Sequence, residues 1–178
     1  MQLFTKNVLH NLGISLVFIH EVPFNVDVGD SHGFIGPMFA ELDADMKHFK
    51  TEPKHLQILD ENGEPLKAED EERRYFEGPW MHKFNGKYYL SYSTGTTHYL
   101  VYAEGDRPDG PFTYRGRIME PVLGWTTHHS IVEYNGKWYL FYHDCELSNG
   151  INHRRNVKFT ELTIHEDGTI EKIFPYGE

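Results

Sequence analysis

The chain has 178 residues and a formal net charge of −10, and 39% of its residues are hydrophobic. This length and apolar fraction predict one globular domain with a real core and exclude a disordered chain. Lys and Arg form no cluster, so neither nucleic acid nor an anionic membrane is predicted as a partner. Cys145 is the single cysteine, which excludes an intrachain disulfide. The absence of a leader-like start and of a long apolar run predicts a soluble, cytoplasmic protein, or one of unknown location if the start is truncated.

The first third of the chain predicts an irregular sheet followed by a loop. Residues 12–19 and 39–42 resemble strand segments found later in the sequence, so a blade-like unit is predicted within residues 1–60. Residues 59–74 are dense in Glu, Asp and Lys, and they contain Gly63 and Pro65. This composition is typical of a solvated loop.

An internal repeat dominates the rest of the chain. The decapeptide Phe84–Ser93 (FNGKYYLSYS) recurs as Tyr134–His143 (YNGKWYLFYH). In each copy an Asn-Gly pair, whose residues tolerate positive φ, separates two runs of alternating aromatic and aliphatic residues, which predicts a tight β-hairpin. Repetition at this spacing is typical of the blades of a β-propeller.

The repeat predicts the architecture. Two four-stranded blades are expected within residues 75–120 and 125–174, and the last strand of the second covers 169–174. Together with the first unit they form a single all-β domain over residues 1–178, a partial β-propeller of about three blades. The aromatic and aliphatic residues of the repeat are expected to pack between blades: Tyr88, Tyr89, Leu90, Trp138, Tyr139 and Leu140.

The register of the repeat also predicts a site. Counting back from the two Asn-Gly turns places Glu77 in the slot of Thr127, next to His128. Residues that start the innermost strands of neighbouring blades converge on one mouth of the channel, so Glu77 and His128 should face each other there. Trp80 and Trp125 would add aromatic faces of the kind that cover a sugar ring, which predicts a carbohydrate site.

Four segments carry a resemblance to a known family. They are residues 75–83 (YFEGPWMHK), the hairpin ending at 92–95 (YSTG), residues 124–131 (GWTTHHSI) and residues 138–144 (WYLFYHD). This pattern resembles glycoside hydrolase family 43, which includes β-xylosidases, α-L-arabinofuranosidases and arabinanases on a five-bladed β-propeller. The resemblance is strongest over the last hundred or so residues.

The resemblance implies roles for individual residues. Glu77, before Gly-Pro, matches the family's general acid. His128 or His129 matches a histidine that binds calcium or a water cluster in the channel; we assign the metal to His128 and a sugar contact to His129. Arg155 matches an arginine that lies near the sugar. The resemblance implies inverting hydrolysis of plant oligo- or polysaccharides, with no organic cofactor.

The chain departs from the family where the second carboxylate belongs. The family's base Asp has no counterpart. For the Asp-Pro segment whose carboxylate modulates the acid, either Gly36 stands in the place of the Asp or the segment is deleted between Asp30 and Gly33. Asp27 and Asp30 lie near this segment in sequence, but the sequence does not show that either replaces the missing carboxylate. We therefore expect a shortened member, whose open sheet edges favour homo-oligomerisation, and a second copy could bring a carboxylate opposite Glu77.

Two functions remain open at this point. The first is a glycosidase acting on arabinose- or xylose-containing plant polysaccharide, with Glu77 as its acid. The second is a catalytically inactive propeller fragment that binds sugar or only self-assembles. The choice between arabinose and xylose depends on the shape of the pocket, which the sequence does not define.

Overall fold

The computed structural model describes residues 16–19, 37–45 and 47–177, and these residues form an all-β structure. Asp27, Asp30 and Gly36 lie outside the described residues. The strands are β1 (Leu16–Ile19), β2 (Met38–Glu41), β3 (Lys54–His55), β4 (Ile58–Leu59), β5 (Glu77–Phe84), β6 (Lys87–Ser93), β7 (Leu100–Gly105), β8 (Phe112–Met119), β9 (Ser130–Tyr134), β10 (Lys137–Asp144) and β11 (Asn156–Leu162). A single turn of 3₁₀ helix, Glu146–Ser148, follows β10. Within the described ranges, no helix is long and apolar enough to cross a bilayer.

The strands form three sheets. The first contains β1, β2 and β3 in that order, the second has the order β4-β8-β7-β6-β5, and the third has the order β11-β10-β9. Strands β5 to β8 are an antiparallel meander, and β4 adds to its outer edge in parallel. The second sheet thus contains the predicted four-stranded blade, and the described residues form a partial β-propeller.

Both predicted hairpins are confirmed. Phe84 pairs with Lys87 and Tyr134 pairs with Lys137, so each loop contains two residues. Asn85 and Gly86 have φ of 46° and 82°, and the second Asn-Gly pair has φ of 51° and 75°. Positive φ at both central residues is what the twist of a two-residue hairpin requires, and the Asn-Gly pair supplies it at low cost.

The second sheet lies between two cores. Tyr88 and Leu90 project from one face of β6 into a cluster shared with Phe39, Leu56 and other residues near the first sheet. Tyr89 projects from the opposite face into a second cluster shared with Leu140 of the third sheet. Because successive side chains of a strand alternate between faces, one strand contributes to both cores. The predicted packing of the repeat between blades is confirmed for Tyr88, Tyr89, Leu90, Trp138 and Leu140.

The opposite face of the third sheet is apolar and exposed. Phe141 and Phe159 stack there with ring centroids 5.5 Å apart, next to the exposed Val157. Tyr139 also lies on this face, 6.4 Å from Phe159, and not in the packing between the sheets, since it alternates with Leu140 along β10. Self-association of the chain would cover this face. The predicted homo-oligomer stays a prediction.

Two predictions about irregular segments need correction. The segment 169–174 pairs only briefly with the chain after β11, through an antiparallel bridge between Ile170 and Ile164, and Ile173 bridges in parallel to Met119 of β8. It therefore forms isolated bridges in place of the continuous strand that was predicted. Ile170 is buried in the second cluster and Ile173 is partly buried against it, so the segment fills the gap between the sheets. The loop 59–74 is largely turns, as predicted, but Leu66 reaches from it into the first core.

Candidate active site

The starts of β5 and of the segment before β9 meet at the junction of the second and third sheets. Glu77 pairs with Ser93 at the end of β6. Thr127 occupies the equivalent place beside His143: its hydroxyl donates to the His143 carbonyl at 2.8 Å and accepts from the His143 amide at 3.0 Å. The Ser93 hydroxyl donates to the Thr127 carbonyl at 2.5 Å. This hydrogen bond joins the two strand starts directly.

Glu77 and His128 face each other across this junction, as the register predicts. Glu77 Oε2 lies 3.4 Å from His128 Nε2, and the Thr126 hydroxyl donates a hydrogen bond to Glu77 Oε1. The Glu77 side chain is 19% exposed and that of His128 is 43% exposed. Gly78 has φ of +66°, and a Cβ there would lie 3.4 Å from the His128 ring. Glycine therefore permits both the backbone conformation and the close approach.

An aromatic pair lies beside this carboxyl group. Trp125, next in sequence to Thr126, is 40% exposed and its ring lies 4.4 Å from that of His98 in an edge contact. Burial lowers the pKa of His98, and the negative charge of Glu77 opposes this shift. The predicted contact of Trp125 with sugar stays a prediction. His98 was not identified from the sequence, because it lies in a loop between β6 and β7 with no motif around it.

Trp80 and His129 lie in the packing between the sheets. The Trp80 indole donates to the Ile131 carbonyl at 3.0 Å, and its ring packs against the second core cluster. His129 Nε2 lies 2.6 Å from the Ser91 hydroxyl, while its Nδ1 is buried. The Trp80 N–H and His129 Nε2 are thus bonded within the protein, whereas His129 Nδ1 has no hydrogen-bond partner among the described residues. The predicted sugar contacts of Trp80 and His129 stay predictions.

His143 and Arg155 complete the junction behind His128. His143 Nε2 accepts the backbone N–H of His128 at 3.0 Å and lies 3.3 Å from Arg155 Nη1. Burial, followed by the positive charge of Arg155, lowers the pKa of His143 to about 4. His143 was missed, although the repeat aligns it with Ser93, which pairs with Glu77. The predicted contact of Arg155 with sugar stays a prediction.

The described residues do not fit a calcium site. Within the described ranges, no group of three or more His, Cys, Asp or Glu side chains is arranged to hold a metal. Calcium takes six to eight oxygen ligands, whereas His128 and Glu77 offer one imidazole and one carboxyl group. No step proposed below therefore uses a metal.

The buried histidines predict a pH dependence of stability. His82 is 5% exposed and stacks on Tyr89, and burial lowers its pKa to about 3. Burial is also the main reason that the pKa of His129 falls to about 3. A depressed folded-state pKa means that the unfolded chain binds more protons below about pH 6.5, so stability falls as the pH drops through this window.

We expect His82→Phe to reduce this dependence. The ring nitrogens of His82 have no hydrogen-bond partner among the described residues, so phenylalanine removes the titrating group without breaking a hydrogen bond. Urea unfolding at pH 7.5 and pH 5 should show a loss of stability smaller by about 2 kcal/mol than in the parent chain. His153→Gln, at an exposed position, is the control. An unchanged pH dependence in His82→Phe would contradict the prediction.

The fold and the site define a β-propeller protein with a carboxyl group, an imidazole and an aromatic face at a blade junction. Comparison with known proteins identifies its family. The sequence model of Glycosyl hydrolases family 43 matches residues 24–170. The chain therefore belongs to glycosyl hydrolase family 43, which confirms the resemblance seen in the sequence.

Individual relatives agree with this assignment. The chain is 63% identical to Xylosidase/arabinosidase 43A of Humicola insolens over 137 residues, which cover 76% of this chain and 42% of the relative. A Bacteroides ovatus Xylosidase/arabinosidase is 60% identical over 134 residues, covering 75% and 41%. This chain thus spans less than half the length of these relatives.

Solved structures show the same fold. A family 43 β-xylosidase/α-arabinofuranosidase from a compost metagenome, in a calcium-free complex with xylotriose, has 59% identity and a TM-score of 0.80, covering 83% of this chain and 46% of that one. The GH43_1 enzyme from Xanthomonas citri has 43% identity and a TM-score of 0.86, covering 93% and 54%. Partial coverage of these chains agrees with a partial propeller.

Proposed function

We propose that this chain provides the general acid, Glu77, of an inverting glycoside hydrolase. Its substrates would be plant oligo- or polysaccharides that contain xylose or arabinose, the sugars after which the two relatives are named. The observation that carries the proposal is the position of the Glu77 carboxyl group. It is largely buried at a blade junction, with Thr126 on one oxygen and His128 near the other.

This arrangement suits a residue that must donate a proton. A general acid has to hold its proton until the glycosidic bond breaks, and burial disfavours the charged form of a carboxyl group. The Thr126 hydroxyl fixes Oε1, which leaves Oε2 on the side of His128 for the departing glycosidic oxygen. The Trp125 ring would cover the apolar face of the sugar beside it.

Inverting hydrolysis also needs a base. A second carboxylate, about 6.5–9.5 Å from the acid, must activate the attacking water on the opposite face of the sugar. We assign no residue of the described ranges to this role. In the proposal, the base comes from another part of the protein or from a second copy of the chain.

The alternative is a sugar-binding or self-assembling protein without catalysis. Its support is that no residue of the described ranges is placed as the base that inverting hydrolysis requires. In this case Trp125 and Glu77 would bind sugar, but no bond would be cleaved.

Hydrolysis of xylobiose and of an arabinofuranosylated xylo-oligosaccharide tests the proposal. Proton NMR of the first product should show the inverted anomer, since a single displacement changes the configuration at the anomeric carbon. Absence of product, together with a xylose-dependent rise in melting temperature, would establish the binding alternative. A retained anomer would contradict the inverting mechanism.

A further inference from the structure

The imidazole of His143 supports the peptide that carries His128. Its Nε2 accepts the His128 backbone N–H at 3.0 Å, and the backbone of His143 is held on both sides by the Thr127 hydroxyl. The rings of His128 and His143 are nearly parallel, with centroids 6.3 Å apart and an interplanar angle of 21°. His143 is therefore bonded to the backbone at the strand start, while His128 projects beyond it toward Glu77.

Two donors, the His128 backbone N–H and Arg155, determine which nitrogen of His143 carries hydrogen. Arg155 Nη1 lies 3.3 Å from the same Nε2 that accepts the His128 amide. A guanidinium and an amide are both donors only, so Nε2 has to be the unprotonated nitrogen and the hydrogen lies on Nδ1. The Arg155 Nε in turn donates to the Asn152 carbonyl at 3.0 Å, which fixes the guanidinium.

The contacts form one continuous series from Arg155 to the acid. Arg155 meets His143, His143 holds the amide of His128, and the His128 ring lies 3.4 Å from Glu77 Oε2. The Ser93 hydroxyl, on β6 of the second sheet, donates at 2.5 Å to the carbonyl of Thr127, the residue before His128. The peptide between Thr127 and His128 is thus fixed at both its oxygen and its nitrogen.

We propose that His143 is a positioning residue, held in its Nδ1–H tautomer by the His128 backbone N–H and Arg155, that keeps the His128 ring against the Glu77 carboxyl group. The inference rests on the proposed function of Glu77 and adds to it. His143 touches neither the sugar nor the reacting atoms. It acts by fixing the direction in which His128 leaves the strand start.

The test compares two substitutions of similar size. His143→Gln keeps a carbonyl oxygen able to accept from the His128 amide and Arg155, whereas His143→Leu removes the acceptor. Two-bond ¹H–¹⁵N correlation spectra of the parent chain should show hydrogen on His143 Nδ1. ¹³C spectra across a pH titration should show a shifted Glu77 midpoint in His143→Leu and a parent-like midpoint in His143→Gln.

The kinetic readout is kcat on xylobiose. His143→Leu should lower kcat on the order of 10²-fold with a smaller change in KM, because a displacement of about 1 Å at a reacting group has that effect. His143→Gln should restore most of the rate, and Arg155→Ala should lie between the two. His153→Gln, an exposed change, is the control expected to leave kcat unchanged.

The two readouts separate the possible failures. An inactive parent chain that still shows the His143 tautomer and the shifted Glu77 midpoint in His143→Leu would refute the proposed hydrolase and support the positioning role. Hydrogen on Nε2 of His143, or identical Glu77 titrations in the Leu and Gln variants, would overturn the positioning role even in an active enzyme.

Discussion

Glu77→Gln is expected to abolish hydrolysis of xylobiose while reducing hydrolysis of p-nitrophenyl β-xyloside far less. An alkoxide leaves only when its oxygen is protonated, whereas p-nitrophenolate departs readily without an acid. Loss of general acid catalysis costs roughly 10²–10⁴-fold. The measurement is kcat/KM for both substrates in the parent chain and in the variant, since the ratio of the two losses isolates the proton-transfer step.

A matched control keeps this result specific. Glu166→Gln makes the same chemical change at an exposed turn residue and should leave both rates unchanged. Equal losses on the two substrates in Glu77→Gln would assign the residue to binding. No loss on either substrate would remove Glu77 from the mechanism.

Leu140→Ala is expected to destabilise the fold by about 3 kcal/mol, because it leaves a cavity in a core that relaxes only partly. Leu140 is fully buried in the second cluster, which joins the second and third sheets. Urea unfolding at pH 7.5 measures this change. The control is Leu147→Ala: Leu147 is 84% exposed, so its loss should change the free energy of unfolding by less than about 0.5 kcal/mol.

The same variant tests whether the packing positions the site. Glu77 begins β5 of the second sheet, and His128 lies just before β9 of the third sheet. The second cluster fills the space between these two sheets. Leu140→Ala should therefore also lower the activity at a temperature where the chain is still folded. A stable Leu140→Ala variant, with the melting temperature of the parent, would contradict the assignment of this cluster as a core.

The sequence was most informative where structure depends on neighbours along the chain. The Asn-Gly turns define both hairpins locally, and the register counted from them places Glu77 and His128 in equivalent strand starts. Family membership follows from the same segments. These predictions hold because the two-residue turn fixes the register of the strand pairing next to it. In β5 a register shift between Trp80 and Glu77 changes the pairing partner of Glu77 by only one residue.

The predictions that failed depend on contacts distant in sequence. Nothing near residues 169–174 shows that the pairing with Ile164 ends after one bridge and that Ile173 turns to Met119 of β8, so a continuous fourth strand was the natural interpretation. His143 was not predicted as a site residue, because its role depends on the hydrogen bond that its ring accepts from the His128 backbone across the hairpin. Trp80 and Trp125 look alike in sequence, yet one bonds to Ile131 and the other is exposed.

The division among the tryptophans has a practical consequence. Of the three in the chain, Trp80 and Trp138 pack against the second cluster, and only Trp125 lies exposed beside Glu77. In the intrinsic fluorescence of the protein, the emission of Trp80 and Trp138 therefore reports on the packing between sheets, and that of Trp125 reports on the mouth of the site. A water-soluble quencher such as acrylamide reaches Trp125 first, so a bound sugar can be followed optically without any added label.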